Sequence, residues 1–256
     1  MLADRFSLAG KTALVLGGSS GIGRQVALGF HDAGAVVLAV GRTASKVAEV
    51  DGALAARGAK ARGYCVDVTQ PEELSQLIRR AVEEHGRIDI LVNSQGITNL
   101  KPAEEFSRSD YDHLIATNLT SVFFACTEVG RHMLEKGSGT IINIASIAAH
   151  RGVQSSALYT MSKHGVLALT RTLASEWATR GVRVNAISPG FFMTPLNQDK
   201  MSPQRKEMAK RRTPMKRFGE LDELVGAAIF LASEAASYVT GESLAVDGGF
   251  LAAGLD

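Results

Sequence analysis

Tyr159 and Lys163 are the two residues whose types and spacing point most directly to chemistry. They stand four positions apart in a segment whose pattern predicts a helix through Trp177. With about 3.6 residues per turn, the two side chains share one helix face. An ammonium group so placed favours the phenolate and is expected to lower the tyrosine pKa from its ordinary value of about 10. The pair could therefore pass a proton to or from an oxygen of a bound molecule near neutral pH.

A solvated helix surface is the plainer interpretation of the same pair, because Tyr and Lys at this spacing occur on many helices. The proton-transfer interpretation requires other elements that bring a ligand to Tyr159. Strands and turns that meet at one place would supply those elements.

A glycine-rich turn near the amino terminus predicts a site for a phosphate-bearing ligand. Residues 12–16 form an apolar run, Gly17, Gly21 and Gly23 follow it, a helical pattern comes next, and residues 36–40 form a second apolar run. Strand, glycine turn, helix and strand in this order open a dinucleotide-binding unit. Glycines let a phosphate approach the backbone, and the helix N-terminus offers free N–H groups.

Apolar runs and helical patterns alternate along the whole chain, among them a strand expected over residues 60–66 and a long helix expected over residues 109–135. This alternation predicts a parallel sheet covered by helices on both faces. We find no linker, internal repeat or low-complexity tract and expect one domain over residues 1–256. Ligands of such sheets bind beyond the carboxyl ends of the strands. The turns expected at that edge are 17–23, 41–42, Asp67, 93–96, Ser146 and 189–190.

The composition is that of an ordinary globular protein that works in water. Of the 256 residues, 45% are hydrophobic and 21% are charged, and the net charge of +2 does not call for a nucleic-acid partner. No apolar run is long enough to span a membrane, and the first residues do not form a signal peptide. Cys65 and Cys126 are expected to be buried free thiols in a reducing cytoplasm.

Taken together, the motifs resemble the short-chain dehydrogenase/reductase family over essentially the full length of the chain. The resemblance implies a nicotinamide-dependent oxidoreductase that interconverts alcohols and ketones. It also implies an α/β fold, a single-domain Rossmann-like doubly wound parallel sheet of about seven strands. The motifs that carry the resemblance are Gly17-x-x-x-Gly21-Ile22-Gly23, Asp67, Asn93-x-x-Gly96, Asn118, Ser146, Tyr159-x-x-x-Lys163, and Pro189-Gly190 with Thr194.

The resemblance assigns four residues to catalysis. Tyr159 would act as general acid in ketone reduction and as base in alcohol oxidation. Lys163 would lower the tyrosine pKa and bind the nicotinamide ribose. Ser146 would hold the substrate oxygen, and Asn118 would anchor a water that connects Lys163 to solvent.

The resemblance also implies the residues that surround the cofactor, and no metal site is expected. Thr194 would contact the carboxamide, and Asp67 with Val68 would border the adenine. The full expected set is Gly17, Ser19, Ser20, Gly21, Ile22, Gly23, Arg42, Asp67, Val68, Asn93, Gly96, Tyr159, Lys163, Pro189, Gly190 and Thr194.

Arg42 favours NADP(H) over the alternative, NAD(H). Sites that prefer NAD place an acid roughly 20 residues beyond the glycine motif, and residues 39–43 contain none. A guanidinium group suits a 2′-phosphate, and Ser19 or Thr43 could assist it. A solvated turn residue is the alternative interpretation of Arg42.

Two positions depart from the family pattern, and both concern support for the cofactor. Leu16 stands where the family usually has threonine, and Ser94-Gln95 stands in place of Asn-Ala. We expect altered cofactor affinity and retained activity.

The substrate is expected to meet Gln95, His150, Arg151, Gln154 and Phe191, under a mobile lid around residues 191–216. Most charges of that lid are expected to be solvated, although one or two could steer an anionic substrate such as a sugar acid. Residues 190–196 and 247–254 look similar to the gluconate 5-dehydrogenase branch of the family, which interconverts gluconate and 5-ketogluconate.

Two other functions stay open from the sequence alone. A 3-oxoacyl-(acyl carrier protein) reductase shares the same catalytic set, and a redox sensor would bind NADP(H) without turnover. A homo-oligomer is expected, because two long helices carry more apolar residues than one sheet contact uses, and the family resemblance implies a homotetramer. Examples are Phe123, Phe124, Leu167, Leu169 and Leu173.

Overall fold

The first strand explains why the strands are apolar throughout. In the computed structural model, which describes residues 3–59, 63–194 and 201–253, β1 (Thr12–Leu16) is buried along its whole length. Leu14 and Leu16 point into one hydrophobic cluster, whereas Ala13 and Val15 point into another on the opposite face. Both faces of the sheet are therefore covered, so alternation of apolar and polar residues is absent.

Seven strands form one parallel sheet in the order β3-β2-β1-β4-β5-β6-β7. In register, Leu16 of β1 lies opposite Val40 on one side and Asn93 on the other. This arrangement confirms the predicted Rossmann-like sheet. The other strands are β2 (Val36–Gly41), β3 (Tyr64–Cys65), β4 (Ile90–Asn93), β5 (Gly139–Ile144), β6 (Val182–Pro189) and β7 (Ser243–Val246).

Eight α-helices occur within the described ranges, and six of them pack on the two faces of the sheet. Residues of α3, α5 and α6 join the cluster on one face, and residues of α1, α2 and α8 join the cluster on the other. The helices are α1 (Gly21–Asp32), α2 (Ala44–Ala55), α3 (Pro71–His85), α4 (Arg108–Ile115), α5 (Ser121–Lys136), α6 (Ala157–Trp177), α7 (Pro203–Arg212) and α8 (Val225–Ala232).

The structure adds detail that the sequence patterns did not predict. Helices α2 and α7 were not expected, and the long helix expected from residue 109 is α4 and α5 joined by a π-helical turn, Ala116–Thr120. The strand expected over residues 60–66 is confined to β3, and residues 60–62 lie outside the described part. Of the expected lid, residues 195–200 also lie outside it.

Two burial expectations were wrong. Leu167 and Leu173 of α6 are only 3% and 5% exposed, because they face the sheet rather than an outer surface. Phe123 and Phe124 of α5 are exposed, as expected for an outer apolar face. Both cysteines are free thiols, but Cys65 is exposed because it lies at the end of the edge strand β3.

No helix in the described parts of the chain combines the length and the apolar character that crossing a membrane requires.

Candidate active site

The carboxyl ends of the strands open on one cavity of about 420 Å³. The order of the sheet reverses between β1 and β4, and ligands of doubly wound sheets bind at this reversal. Most of the residues that the motifs singled out therefore come together here. Those that line the cavity are Gly17, Ser19, Ser20, Gly21, Ile22, Arg42, Asp67, Val68, Gln95, Gly96, Ser146, Tyr159, Lys163, Pro189, Gly190 and Thr194.

The turn after β1 packs closely against the turn after β4 and leads into the open N-terminus of α1. Gly17 has a φ of 75°, and a Cβ on it would lie 2.7 Å from the backbone nitrogen of Gln95. Helix α1 begins at Gly21, and the side chain of the preceding Ser20 makes no capping hydrogen bond. The first N–H groups of α1 consequently remain available to an anion.

A positively charged region lies at the carboxyl end of β2, apart from the N-terminus of α1. Arg42 and Lys46 line the cavity, are exposed, and form no ion pair within the described ranges. Ser19 is 9% exposed, and its hydroxyl occupies the place that a Cβ on Gly41 would need. The first turn of α2 contains no acidic residue. This end of the cavity is therefore suited to a phosphate group.

Lys46 was missed by the sequence interpretation. It lies in the first turn of α2, four residues after Arg42, and α2 was itself not predicted. Recognition of that helix would have placed both cations near the same strand end.

Ser146 and Tyr159 lie together at the end of β5. The Ser146 side chain accepts a hydrogen bond from the backbone N–H of Ala148 at 3.1 Å and is also hydrogen-bonded to Tyr159. Ser146 is 8% exposed. The two hydroxyl groups can thus act on the same atom of a bound molecule.

Burial shifts the pKa values of Tyr159 and Lys163 in opposite directions. It lowers the pKa of Lys163 to about 8 and raises the pKa of Tyr159, although the hydrogen bond from Ser146 partly opposes the latter. The expected lowering of the tyrosine pKa is therefore not what the structure shows. The Lys163 ammonium donates to the carbonyl of Ile144 at 2.7 Å and lies 5.8 Å from the centre of the Tyr159 ring.

Asn118 lies behind the cavity, in the π-helical turn between α4 and α5. Such turns often occur at functional sites. Its side chain is fully buried and pairs with the backbone of Ile97, which lines the cavity. The Ile97 N–H donates to Oδ1 at 2.8 Å, and Nδ2 donates to the Ile97 carbonyl at 2.9 Å.

Two expected cofactor residues support the cavity from below instead of lining it. Asn93 is 1% exposed, and its amide donates to Asn143 at 2.8 Å and to the Cys126 sulfur at 3.2 Å. A Cβ on Gly23 would collide with the carbonyl of Gly17. Their direct contact with a cofactor stays a prediction.

Of the expected substrate residues, only Gln95 lines this cavity. His150 Nε2 is hydrogen-bonded to Ser188 at 3.0 Å, and the Arg151 guanidinium lies 5.3 Å from the centre of the Phe250 ring. Phe191 lines a neighbouring cavity of about 370 Å³, and Gln154 is exposed. Nearness to Ser146 in sequence did not determine where these side chains point.

The two departures from the family pattern have structural consequences. Leu16 is fully buried in the core. The Gln95 amide donates to the Ser121 hydroxyl at 3.1 Å, which ties the turn after β4 to α5. The side-chain oxygen of Gln95 is buried and has no hydrogen-bond partner among the described residues.

Comparisons with known proteins agree with this geometry. The chain matches the family model described as Enoyl-(Acyl carrier protein) reductase over residues 17–251. It is 41% identical over 254 residues to the 2-dehydro-3-deoxy-D-gluconate 5-dehydrogenase of Bacillus subtilis (strain 168), with 98% of each chain covered. It is 40% identical over 247 residues to the gluconate 5-dehydrogenase of Gluconobacter oxydans (strain 621H), with 96% of each chain covered.

A solved structure is also similar to this chain over its whole length. The gluconate 5-dehydrogenase from Burkholderia cenocepacia J2315, in complex with NADP and tartrate, superimposes with a TM-score of 0.95 at 36% identity. The superposition covers 99% of this chain and 100% of that chain. The protein belongs to the short-chain dehydrogenase/reductase family and is a dehydrogenase that acts on CH–OH groups.

Proposed function

We propose that the protein is an NADP(H)-dependent oxidoreductase that interconverts the secondary alcohol and the ketone of a sugar acid, such as gluconate and 5-ketogluconate. The observation that carries the proposal is one cavity whose two ends suit the substrate oxygen and the cofactor phosphate. One end holds Ser146, Tyr159 and Lys163, and the other holds Arg42 and Lys46.

The residues present fit a dinucleotide with a 2′-phosphate. The bare backbone at Gly17 and the N-terminus of α1 suit the pyrophosphate, and Arg42, Lys46 and Ser19 suit the 2′-phosphate. The solved relative from Burkholderia cenocepacia contains NADP. The chemistry that a bound nicotinamide supplies is transfer of a hydride to or from the carbinol carbon.

Ser146 and Tyr159 supply the proton chemistry at the substrate oxygen. Because the pKa of Tyr159 is raised, the phenol is protonated at neutral pH and can donate its proton to a carbonyl oxygen during reduction. Ser146 holds that oxygen beside the phenol. In alcohol oxidation the proton returns to the phenolate, while Lys163 is held in place by the carbonyl of Ile144.

One cation, Arg151, lies near the neighbouring cavity that Phe191 lines and favours an anionic substrate. Phe191, next to the lining residue Gly190, packs edge to face against Phe250 at 5.2 Å, and Arg151 covers the Phe250 ring. The sugar-acid dehydrogenases among the relatives act on carboxylates of this kind, and the Burkholderia cenocepacia structure contains tartrate.

Parallel assays of NADPH oxidation test the proposal against its rival. We expect turnover with 5-ketogluconate and little with an acetoacetyl thioester. Preference for the thioester would indicate a 3-oxoacyl-(acyl carrier protein) reductase, the activity named for a relative that is 35% identical over 244 residues. Tight NADP(H) binding without turnover of any carbonyl compound would indicate a redox sensor.

Direct binding measurements test the cofactor preference. We expect NADP to bind more tightly than NAD, and Arg42→Ala and Lys46→Ala each to weaken NADP binding about tenfold without weakening NAD binding. Arg57→Ala, which removes an exposed cation paired with Asp32, is the control. Tighter binding of NAD by the wild type would refute the assignment.

A further inference from the structure

Ser162 connects α6, which carries Tyr159 and Lys163, to the π-helical turn that carries Asn118. It is fully buried on α6, between Tyr159 and Lys163. Its hydroxyl donates to the Tyr159 carbonyl at 2.7 Å and accepts from the Asn118 amide at 3.2 Å. One side chain thus joins the helix that carries the acid–base pair to the π-helical turn.

The Asn118 amide depends on this contact for its orientation. Its oxygen accepts from the Ile97 N–H, and its two N–H bonds are directed to the Ile97 carbonyl and to Ser162. Without the Ser162 hydroxyl, one buried N–H would lose its acceptor. The amide would then keep only its two hydrogen bonds to Ile97, which lines the cavity, and its position relative to α6 would no longer be fixed.

We propose that Ser162 is a positioning residue, which holds Asn118 in the orientation that fixes the Ile97 segment against the catalytic helix. The proposal rests on the function proposed above, because it assigns catalysis to Tyr159. Ser162 acts through Asn118 and takes no part in proton transfer itself.

Thr170 provides a matched control on the same helix. Its buried hydroxyl also donates to a carbonyl within α6, that of Val166 at 2.8 Å, and also accepts from an asparagine amide, that of Asn143 at 2.9 Å. It does not line the cavity. Ser162→Ala and Thr170→Val therefore remove comparable hydrogen bonds at two distances from Tyr159.

Hydrogen exchange of the segment that contains Ile97 tests the proposal without any activity. We expect Ser162→Ala to speed exchange at residues 94–100 relative to both the wild type and Thr170→Val. Equal exchange in the two variants would overturn the proposal. If Ser162→Ala does not fold, Ser162→Cys keeps the volume but is a weak hydrogen-bonding partner, and the same result is expected.

Steady-state kinetics give the second test. We expect Ser162→Ala to lower kcat about tenfold with little change in the KM for NADPH, and Thr170→Val to stay within about twofold of the wild type. Combined with Asn118→Ala, the Ser162 change should add no further loss, and multiplicative losses would contradict action through Asn118. A wild type that turns over no alcohol or ketone would refute the proposed function, whereas the exchange result would still decide the role of Ser162.

Discussion

Burial shifts the pKa values of Tyr159 and Lys163, and in each case it favours the neutral form. The pKa of Lys163 falls to about 8, and that of Tyr159 rises. The ammonium is directed to the carbonyl of Ile144, so its effect on the phenol is smaller than the spacing of the two residues implies. At the residue scale, the neutral tyrosine is therefore suited to the reductive direction.

Removal of the phenol tests this assignment. We expect Tyr159→Phe to lower kcat for ketone reduction by about 10²- to 10⁴-fold, the usual contribution of a general acid, while the Kd for NADP changes little. Tyr111→Phe, which alters an exposed tyrosine on α4, should leave kcat unchanged. Full activity in Tyr159→Phe would show that another group supplies the proton.

The lowered pKa of Lys163 predicts a pH dependence of stability. Between pH 8 and 10.5 the unfolded chain retains the proton that the folded protein releases, so this residue makes the free energy of unfolding rise with pH. Below pH 8 the burial cost is fully present. We expect the wild type to gain about 2 kcal/mol relative to Lys163→Met between pH 7.5 and 9.5 in urea titrations. A difference that is constant with pH would contradict the burial argument.

At the scale of elements, α5 and α6 approach each other closely at one glycine. Gly130 of α5 faces the ring of Trp177 at the end of α6, and a Cβ on Gly130 would lie 2.6 Å from that ring. Both residues are buried. The contact requires glycine for space rather than for its backbone conformation.

Two glycine-to-alanine substitutions distinguish the effect of space from the effect of backbone conformation. Alanine in a helix interior ordinarily stabilises by about 0.5–1 kcal/mol relative to glycine. We expect that gain for Gly52→Ala in α2, where nothing lies within 4 Å of the added Cβ. Gly130→Ala should instead lower the free energy of unfolding by about 1–3 kcal/mol, because the Trp177 ring cannot move aside. Stabilisation in both variants would show that the helices can separate at low cost.

At the scale of the whole molecule, we propose that the chain forms a homotetramer through an exposed apolar face. Phe123 and Phe124 of α5 are 44% and 43% exposed and pack edge to face at 5.3 Å. Met161 of α6 is also exposed. Apolar surface of this kind commonly marks a protein–protein contact.

Sedimentation velocity tests the assembly. We expect the wild type to sediment as a tetramer at micromolar concentration and the double variant Phe123→Lys, Phe124→Lys to sediment as a smaller species, because two charges would be buried in the contact. Phe6→Lys, at a residue of similar exposure that packs near Phe230, is the control. A monomeric wild type would refute the proposal.

Features that depend on neighbours along the chain could be predicted from the sequence. The order of strands and helices, the glycine turn at Gly17 and the position of Arg42 at a strand end follow from local patterns. The parallel sheet then brings these turns to one edge, because the carboxyl ends of parallel strands lie together. For this reason most of the cavity lining could be named in advance.

Tertiary packing decided the rest. The ring of His150 turns to Ser188, Leu167 and Leu173 face the core, and Lys46 reaches the cavity, and each outcome depends on contacts with residues distant in sequence. The pKa of Tyr159 rises because the folded chain removes water from the phenol, an effect that spacing on a helix does not contain. The sequence alone determined which turns meet at the edge of the sheet, and the packing around them determined the orientation and the charge of the side chains.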